Sequence, residues 1–383
     1  MNSHSTTKRF IIPSIMYFGY TSLLWAILVY LPIYFTDLGF SHFEISILLS
    51  VFPVMSLVSM IPFGMFSDRL SPKKLVITSL VLYAIFLIGL RQTEGFWTLL
   101  IFFIVGGIGD SLFRISNMSL YYKTLGNTNK GMKLGFFMGI GLLGYGLGPL
   151  LGGYLLASFN MDFLFHVILL LTAPFFILGF FLQDVEPTKF ELVHYRKDVA
   201  NKEALVLVAL TFLVSLHLGV ERTCFSLYMK EDIGLSVNSI GTMFFFIGMT
   251  VAILTIINGF ISDRRLGKGK GLAALFYSGI FISGLFNINL LFSSSFGTIL
   301  AIRLLHVLGD SLLMISRSII VSNLFQSERI GGNLGVITTT STLGTFLGAI
   351  MSGIIPGYIF PFVVAGALAI VAIPPAISAK PNF

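Results

Sequence analysis

Cysteine is nearly missing from this chain. Cys224 is the one thiol in 383 residues, which excludes a disulfide framework and a cysteine-based metal site. Charge is scarce as well: Asp, Glu, Lys and Arg make up 11% of the residues against 55% hydrophobic ones, and mean hydropathy is +0.92. So few charges cannot cover the surface of a water-soluble domain, and the solvent they imply is lipid. Three short patterns are also missing, namely His-Glu-x-x-His, Gly-x-Ser-x-Gly and Gly-x4-Gly-Lys-Ser/Thr. Without them an intramembrane enzyme and a nucleotide-driven pump are poor readings. No cofactor, no metal site and no nucleotide is expected.

What the chain does hold is a series of apolar runs, each long enough to cross a bilayer, which takes about 20 residues. They fall at 10–35, 44–66, 74–91, 96–121, 132–158 and 162–183, then at 204–229, 238–262, 271–292, 297–321, 332–355 and 357–377. The first run follows Lys8 and Arg9 and is too long for a signal peptide's apolar region, so it reads as a retained span. The expected fold class is an all-α membrane protein of twelve transmembrane helices. A receptor would add a soluble domain, and none stands out.

Basic residues are distributed by side. The even-numbered loops and both ends hold Lys8, Arg9, Arg69, Lys73, Lys74, Lys123, Lys130, Lys133, Lys189, Arg196, Lys197, Lys202, Arg264, Arg265, Lys268, Lys270, Arg329 and Lys380, while the other side holds Arg91 and Lys230. The positive-inside rule then puts both termini in the cytoplasm of a cell-membrane protein. The net charge of +7 is thereby an orientation signal and gives no reason to expect nucleic acid.

The halves repeat. Gly109-Asp110-Ser111-Leu112 with Ile115-Ser116 returns as Gly309-Asp310-Ser311-Leu312 with Ile315-Ser316, an offset of 200 (309 minus 109). At the same offset Gly131, Gly135, Gly144, Gly148 and Gly153 match Gly331, Gly335, Gly344, Gly348 and Gly353. Residues 1–183 and 204–383 therefore read as two pseudo-symmetric six-helix bundles. The segment 184–203 between them, with five acids and four bases, reads as a solvated linker.

The loop after the second run carries Gly64-x-x-x-Asp68-Arg69, repeated in the second half as Gly259-x-x-x-Asp263-Arg264. Together with the repeat, this resembles the major facilitator superfamily of transporters, whose signature at this place is Gly-x-x-x-Asp-Arg-x-Gly-Arg-Lys, here with Ser71 for the second glycine. The resemblance implies two bundles that carry a small-molecule substrate by alternating access, able to work as a monomer. Asp68 would face the helix start at Gly331-Gly332-Asn333, and Asp263 the start at Gly131. Such an anion-to-helix-end contact is worth about 0.3–2 kcal/mol, which suits a releasable latch. Span 5 holds Gly144-x-x-x-Gly148-Pro149-x-x-Gly152-Gly153, similar to a pattern of the superfamily's proton-coupled efflux antiporters. Its glycines allow tight helix packing and its proline allows a bend. Span 11 has Ala349 where that proline would repeat. Phe103 stands where many members carry an arginine early in span 4, and the comparable place in span 10 holds Arg303.

Ionisable residues inside a bilayer cost at least about 2.5–3.5 kcal/mol each and so face the bundle interior. Here they are Asp110 and Arg114 in span 4, His217, Glu221 and Arg222 in span 7, and Arg303, His306, Asp310 and Arg317 in span 10. The superfamily fold places spans 1, 4, 7 and 10 around a central cavity, to which span 1 would add Tyr17, Tyr20 and Trp25. Asp110 and Arg114 are one turn apart, as are His306 and Asp310. Glu221 and Arg222 point about 100° apart and so suit different partners. The expectation is that Asp110, Glu221 or Asp310 exchanges a proton while an arginine competes for the carboxylate or holds an anionic substrate. Proton-coupled efflux is the first reading. Import of a small polar or anionic nutrient by a symporter or uniporter is the second.

Overall fold

In lipid every backbone N–H and C=O must be satisfied within the segment, and a sequence of long apolar runs can do this only as helices. A computed structural model describes residues 7–93, 95–188, 192–263 and 270–381. Among these residues twelve helices are long and apolar enough to cross a membrane. In chain order they are α1 (Arg9–Leu28), α2 (Ile47–Arg69), α3 (Pro72–Gln92), α4 (Phe96–Thr124), α5 (Lys130–Leu156) and α6 (Met161–Gly179). The second series is α7 (Lys202–Asp232), α8 (Ser239–Ile261), α9 (Gly271–Phe292), α10 (Phe296–Leu324), α11 (Ser327–Ile354) and α12 (Phe360–Ser378).

Most helix ends fall within a few residues of the sequence expectation, and two runs are interrupted, both beside prolines. The first run does not continue to residue 35. It stops at Leu28, and a short helix Leu31–Asp37 restarts after a turn. Pro32 has no N–H to donate to residue 28, so the chain restarts there instead of extending. The last helix is interrupted at Ala372, just before Pro374-Pro375. The linker also contains local structure: a helix at Leu192–Ala200, and a Ser71 hydroxyl that donates to Asp184 at 2.5 Å.

The chain divides into two compact units. One comprises 1–126, 140–191 and 327–336, the other 127–139, 192–326 and 337–383. Their internal packing follows one scheme. In the first unit α4 packs against α2 and α3, and α6 against α1 and α3. In the second unit α10 packs against α8 and α9, and α12 against α7 and α9. Each core is rich in aromatic and branched side chains: Phe35, Phe86, Phe103 and Phe165 in the first, Val220, Phe225, Met243 and Phe362 in the second. Trp97, Leu170, Phe292 and Ile354 are among the exposed large apolar residues, as lipid-facing helix surfaces require.

Repeated glycines account for the matched packing. A Cβ on Gly109 would stand 3.0 Å from the Leu82 Cβ of α3, and one on Gly309 would run into the Ser283 backbone of α9. On α5 a Cβ at Gly144 would lie 2.8 Å from the Phe18 carbonyl oxygen of α1, and one at Gly148 would collide with the Ser22 carbonyl. Gly344 and Gly348 of α11 meet the Phe212 and Leu216 carbonyls of α7 in the same way. Small residues bring backbones together where lipid removes the hydrophobic drive for association. Gly146, two residues from Gly148, has open space where its Cβ would be. Gly148→Ala is therefore expected to lower stability by roughly 1–3 kcal/mol through overpacking. Gly146→Ala is expected to leave the thermal unfolding midpoint of the detergent-solubilised protein unchanged or slightly raised.

Candidate functional site

Asp110 sits in the middle of α4 and is 2% exposed. One turn further along the same face, Arg114 donates its Nε–H to Asp110 Oδ1 at 2.9 Å. The Tyr20 hydroxyl of α1 donates to the same oxygen at 3.3 Å, and the Ser56 hydroxyl of α2 donates to Oδ2 at 3.1 Å. Tyr20 is fixed in turn by stacking on Phe113 with ring centroids 3.9 Å apart. One carboxylate thus ties α1, α2 and α4 together. Its arginine is only partly covered, the Arg114 side chain being 31% exposed, so the guanidinium has room for a second partner. Tyr17 lies against Gly141 of α5. Trp25 meets Tyr145 edge to face at 5.1 Å, and its Nε1 is buried without a hydrogen-bond partner.

The second unit carries a different arrangement. Arg303, entirely buried, reaches Glu221 of α7 with Nη2 to Oε2 at 2.5 Å. It also donates to Asn287 Oδ1 at 3.3 Å and lies 4.7 Å over the Phe225 ring. The Phe103 position of α4 has no such cation, so the two units neutralise their carboxylates differently. Asp310, two turns along α10 from Arg303, has no arginine partner among the described residues and is approached by two imidazoles. His306 Nε2 stands 3.1 Å from its Oδ2 and His217 Nε2 3.6 Å from its Oδ1. Neither contact is aligned as a hydrogen bond: both Nε2 atoms and Asp310 Oδ1 are buried without one. Arg222 is exposed and Arg317 half-buried. Glu221 and Arg222 therefore do face different surroundings.

Away from these centres, the Asp68 carboxylate at the end of α2 is 1% exposed. It accepts from the backbone N–H of Gly331 at 3.0 Å and of Gly332 at 2.8 Å, at the start of the second repeat's α11. The Lys123 ammonium, also buried, lies 2.9 Å from the same carboxylate. The close approach depends on glycine, since a Cβ on Gly64 or on Gly331 would strike the other's carbonyl oxygen. Thr188 of the linker donates its N–H to the Asp68 carbonyl at 2.9 Å and its hydroxyl to the Glu328 carbonyl at 2.8 Å. Within the second unit Asp263 repeats the motif on α5, accepting from Gly131 at 2.9 Å and Met132 at 2.7 Å, with Gly259 against Gly131. Arg69 is exposed. Arg264 lies outside the described residues.

The span 5 motif is built into the α1 contact. Gly144, Gly148 and Gly152 face the carbonyls of Phe18, Ser22 and Ala26, and Gly153 lies against the Tyr30 hydroxyl. That hydroxyl donates to the Pro149 carbonyl at 2.7 Å. Sequence reasoning did not find the Glu221–Arg303 pair, the approach of His217 to Asp310, or Lys123 and Thr188 at the Asp68 site. Each joins residues on different helices or loops, and no periodicity along one helix signals such a pair.

The sequence profile of the Major Facilitator Superfamily matches this chain at residues 14–220 and again at 207–379. The quinolone resistance protein NorA of Staphylococcus aureus is 23% identical over 337 residues, which cover 84% of this chain and 83% of that protein. An uncharacterised MFS-type transporter of Methanocaldococcus jannaschii is 23% identical over 341 residues, 84% of each chain. The crystal structure of the human organic anion transporter MFSD10 superposes with a TM-score of 0.75 at 18% identity, over 98% of this chain and 100% of that one. A bacterial homologue of the iron transporter ferroportin, in its outward-facing state, superposes with a TM-score of 0.72 at 14% identity, over 96% and 97%. At those identities the structural likeness establishes the fold. The match of both repeats to one family, on twelve membrane-crossing helices, makes this chain a member of the Major Facilitator Superfamily and an integral multi-pass membrane transporter.

Proposed function

We propose that this transporter exports small organic solutes in exchange for protons, from a cell membrane in which both termini face the cytoplasm. The observation that carries the reading is Asp110, a carboxylate buried in a membrane helix and held by one partly exposed arginine. When Asp110 is ionised it occupies Arg114. Protonation releases the guanidinium, so that proton uptake and solute binding act on one charge. Glu221, paired with Arg303, is available for the same exchange, while Asp310 is a further carboxylate for proton exchange that faces two imidazoles instead of a guanidinium. The similarity to a quinolone resistance protein over most of both chains supports export of drug-like solutes. The positive-inside bias supports the orientation.

A second reading has its own observation. Arg114 is 31% exposed and would suit an anionic solute, which fits uptake of a small organic anion by symport or uniport. The fold is also that of a human organic anion transporter.

Purified protein in liposomes holding a pH-sensitive dye separates the two. Lipophilic amines and fluoroquinolones should each drive proton movement opposite to solute under the first reading. Organic anions alone, moving with protons or without them, would favour the second. Under either coupled scheme Asp110→Asn should retain solute binding while lowering pH-driven flux at least about fivefold, the low end of ordinary coupling factors. Unchanged flux in that variant removes Asp110 from the mechanism.

The contacts of Asp68 and Asp263 act in this scheme as latches on the cytoplasmic side. Each aligns a carboxylate with the positive end of a helix, an interaction of about 0.3–2 kcal/mol that thermal opening can release. Asp68→Asn should speed amide hydrogen exchange across 327–336 by at least about 30-fold, the factor that 2 kcal/mol represents, because it also leaves Lys123 buried without its carboxylate. Exchange at the native rate would show that the latch does not depend on the charge.

A further inference from the structure

His217, His306 and Asp310 form a cluster in the second unit that ion-pair logic alone does not explain. His217 Nδ1 is hydrogen-bonded to the Val214 carbonyl one turn back on α7, and His306 Nδ1 to the Ser283 carbonyl of α9 at 2.9 Å. A carbonyl oxygen can only accept, so each Nδ1 carries the hydrogen. In the neutral ring Nε2 then bears a lone pair. Both lone pairs converge on the Asp310 carboxylate, at 3.6 Å and 3.1 Å, and the rings stand nearly perpendicular with centroids 5.2 Å apart. Two lone pairs and an anion, buried with no hydrogen-bond donor on His217 Nε2, His306 Nε2 or Asp310 Oδ1, are mutually repulsive unless something positive joins them.

We infer that the cluster is a binding site for a first-row transition-metal dication. The donor atoms all lie within 4.8 Å of one another, while donors about 2.0–2.2 Å from a tetrahedral ion stand about 3.3–3.6 Å apart. The observed set is slightly wider and would draw in on binding. Imidazole nitrogen with carboxylate oxygen selects zinc, iron or cobalt over calcium and magnesium. The Nδ1–H bonds to backbone carbonyls are the outer contacts that orient metal-binding histidines and fix their tautomer. Glu221 neutralises Arg303 next to the cluster, so Asp310 keeps its negative charge for the ion. Three protein ligands leave at least one coordination position open, the arrangement of an exchangeable ion and not of a closed structural one. Entry is from the Asp310 side, the side chain being 15% exposed against 4% for His217 and 0% for His306. No metal site is expected from the sequence, because the pair His306 and Asp310, one turn apart on α10, supplies only two ligands and nothing in the sequence joins His217 of α7 to them.

The test uses the purified full-length protein in detergent, dialysed against cobalt(II) and, separately, zinc(II). Expected is close to one bound ion per chain, with cobalt giving ligand-field bands in the visible spectrum. His306→Gln and His217→Phe should each weaken binding at least about tenfold, the least that even outer-contact substitutions cost at metal sites. His166→Gln removes an exposed histidine beside Asp162 and should change nothing. Should the cluster variants not purify as monodisperse protein, nitrogen-15 histidine spectra of the native chain titrated with zinc serve instead. Selective shifts of two Nε2 resonances are the expected result. Binding that survives both substitutions, binding lost with His166→Gln, or no uptake of either ion overturns the assignment. In the last case the positive group between the rings is a proton. The binding assay involves no transport, so its outcome is separate from that of the export reading.

Discussion

Every ionised carboxylate that this fold takes out of water has to be matched by a positive partner held in place by another helix or by a turn of its own. In hydrocarbon the unmatched charge costs several kcal/mol, whereas breaking a buried pair costs about 3–5 kcal/mol. The chain meets the constraint in four ways. Asp110 takes an arginine from its own helix and hydroxyls from two others. Glu221 takes an arginine from α10. Asp68 and Asp263 take the N–H groups at helix starts, Asp68 with Lys123 besides. Asp310 faces two imidazoles, and its match is the cation inferred between them. A partner that can be exchanged for a proton, a solute or an ion makes such a site responsive. A buried lysine and backbone donors make it mechanical.

The glycines serve the same constraint from the backbone side. Asp68 reaches the Gly331 and Gly332 amides because Gly64 and Gly331 leave no Cβ between the chains. Asp263 reaches Gly131 past Gly259 in the same way. The glycine spacing along α5 and α11 fixes how near α1 and α7 can come, and so how near Tyr20 and His217 stand to the carboxylates of α4 and α10.

Much of the architecture was legible because lipid forces helices and because a duplicated Gly-Asp-Ser-Leu block is hard to mistake. Helix number and class followed from run length alone. The break after Leu28 was missed, since an apolar run does not show where a proline will restart the helix. Within the sites, pairs one turn apart on a single helix could be read directly, as with Asp110 and Arg114. The Glu221–Arg303 pair joins residues far apart in sequence, and nothing in either helix names the other. The His217 approach to Asp310 was hidden for the same reason. Thr188 was hidden by its setting in a polar segment that looked like plain linker.

The account rests on a buried carboxylate that gives up its cation when it gains a proton. Infrared difference spectroscopy of the reconstituted protein, stepped from alkaline to acidic pH with and without bound solute, observes that event directly. The account predicts a carboxylic-acid C=O band that grows on acidification, is suppressed by solute, and loses one component in Asp110→Asn. A spectrum with no such band across the working pH range, in protein that still transports, would contradict it.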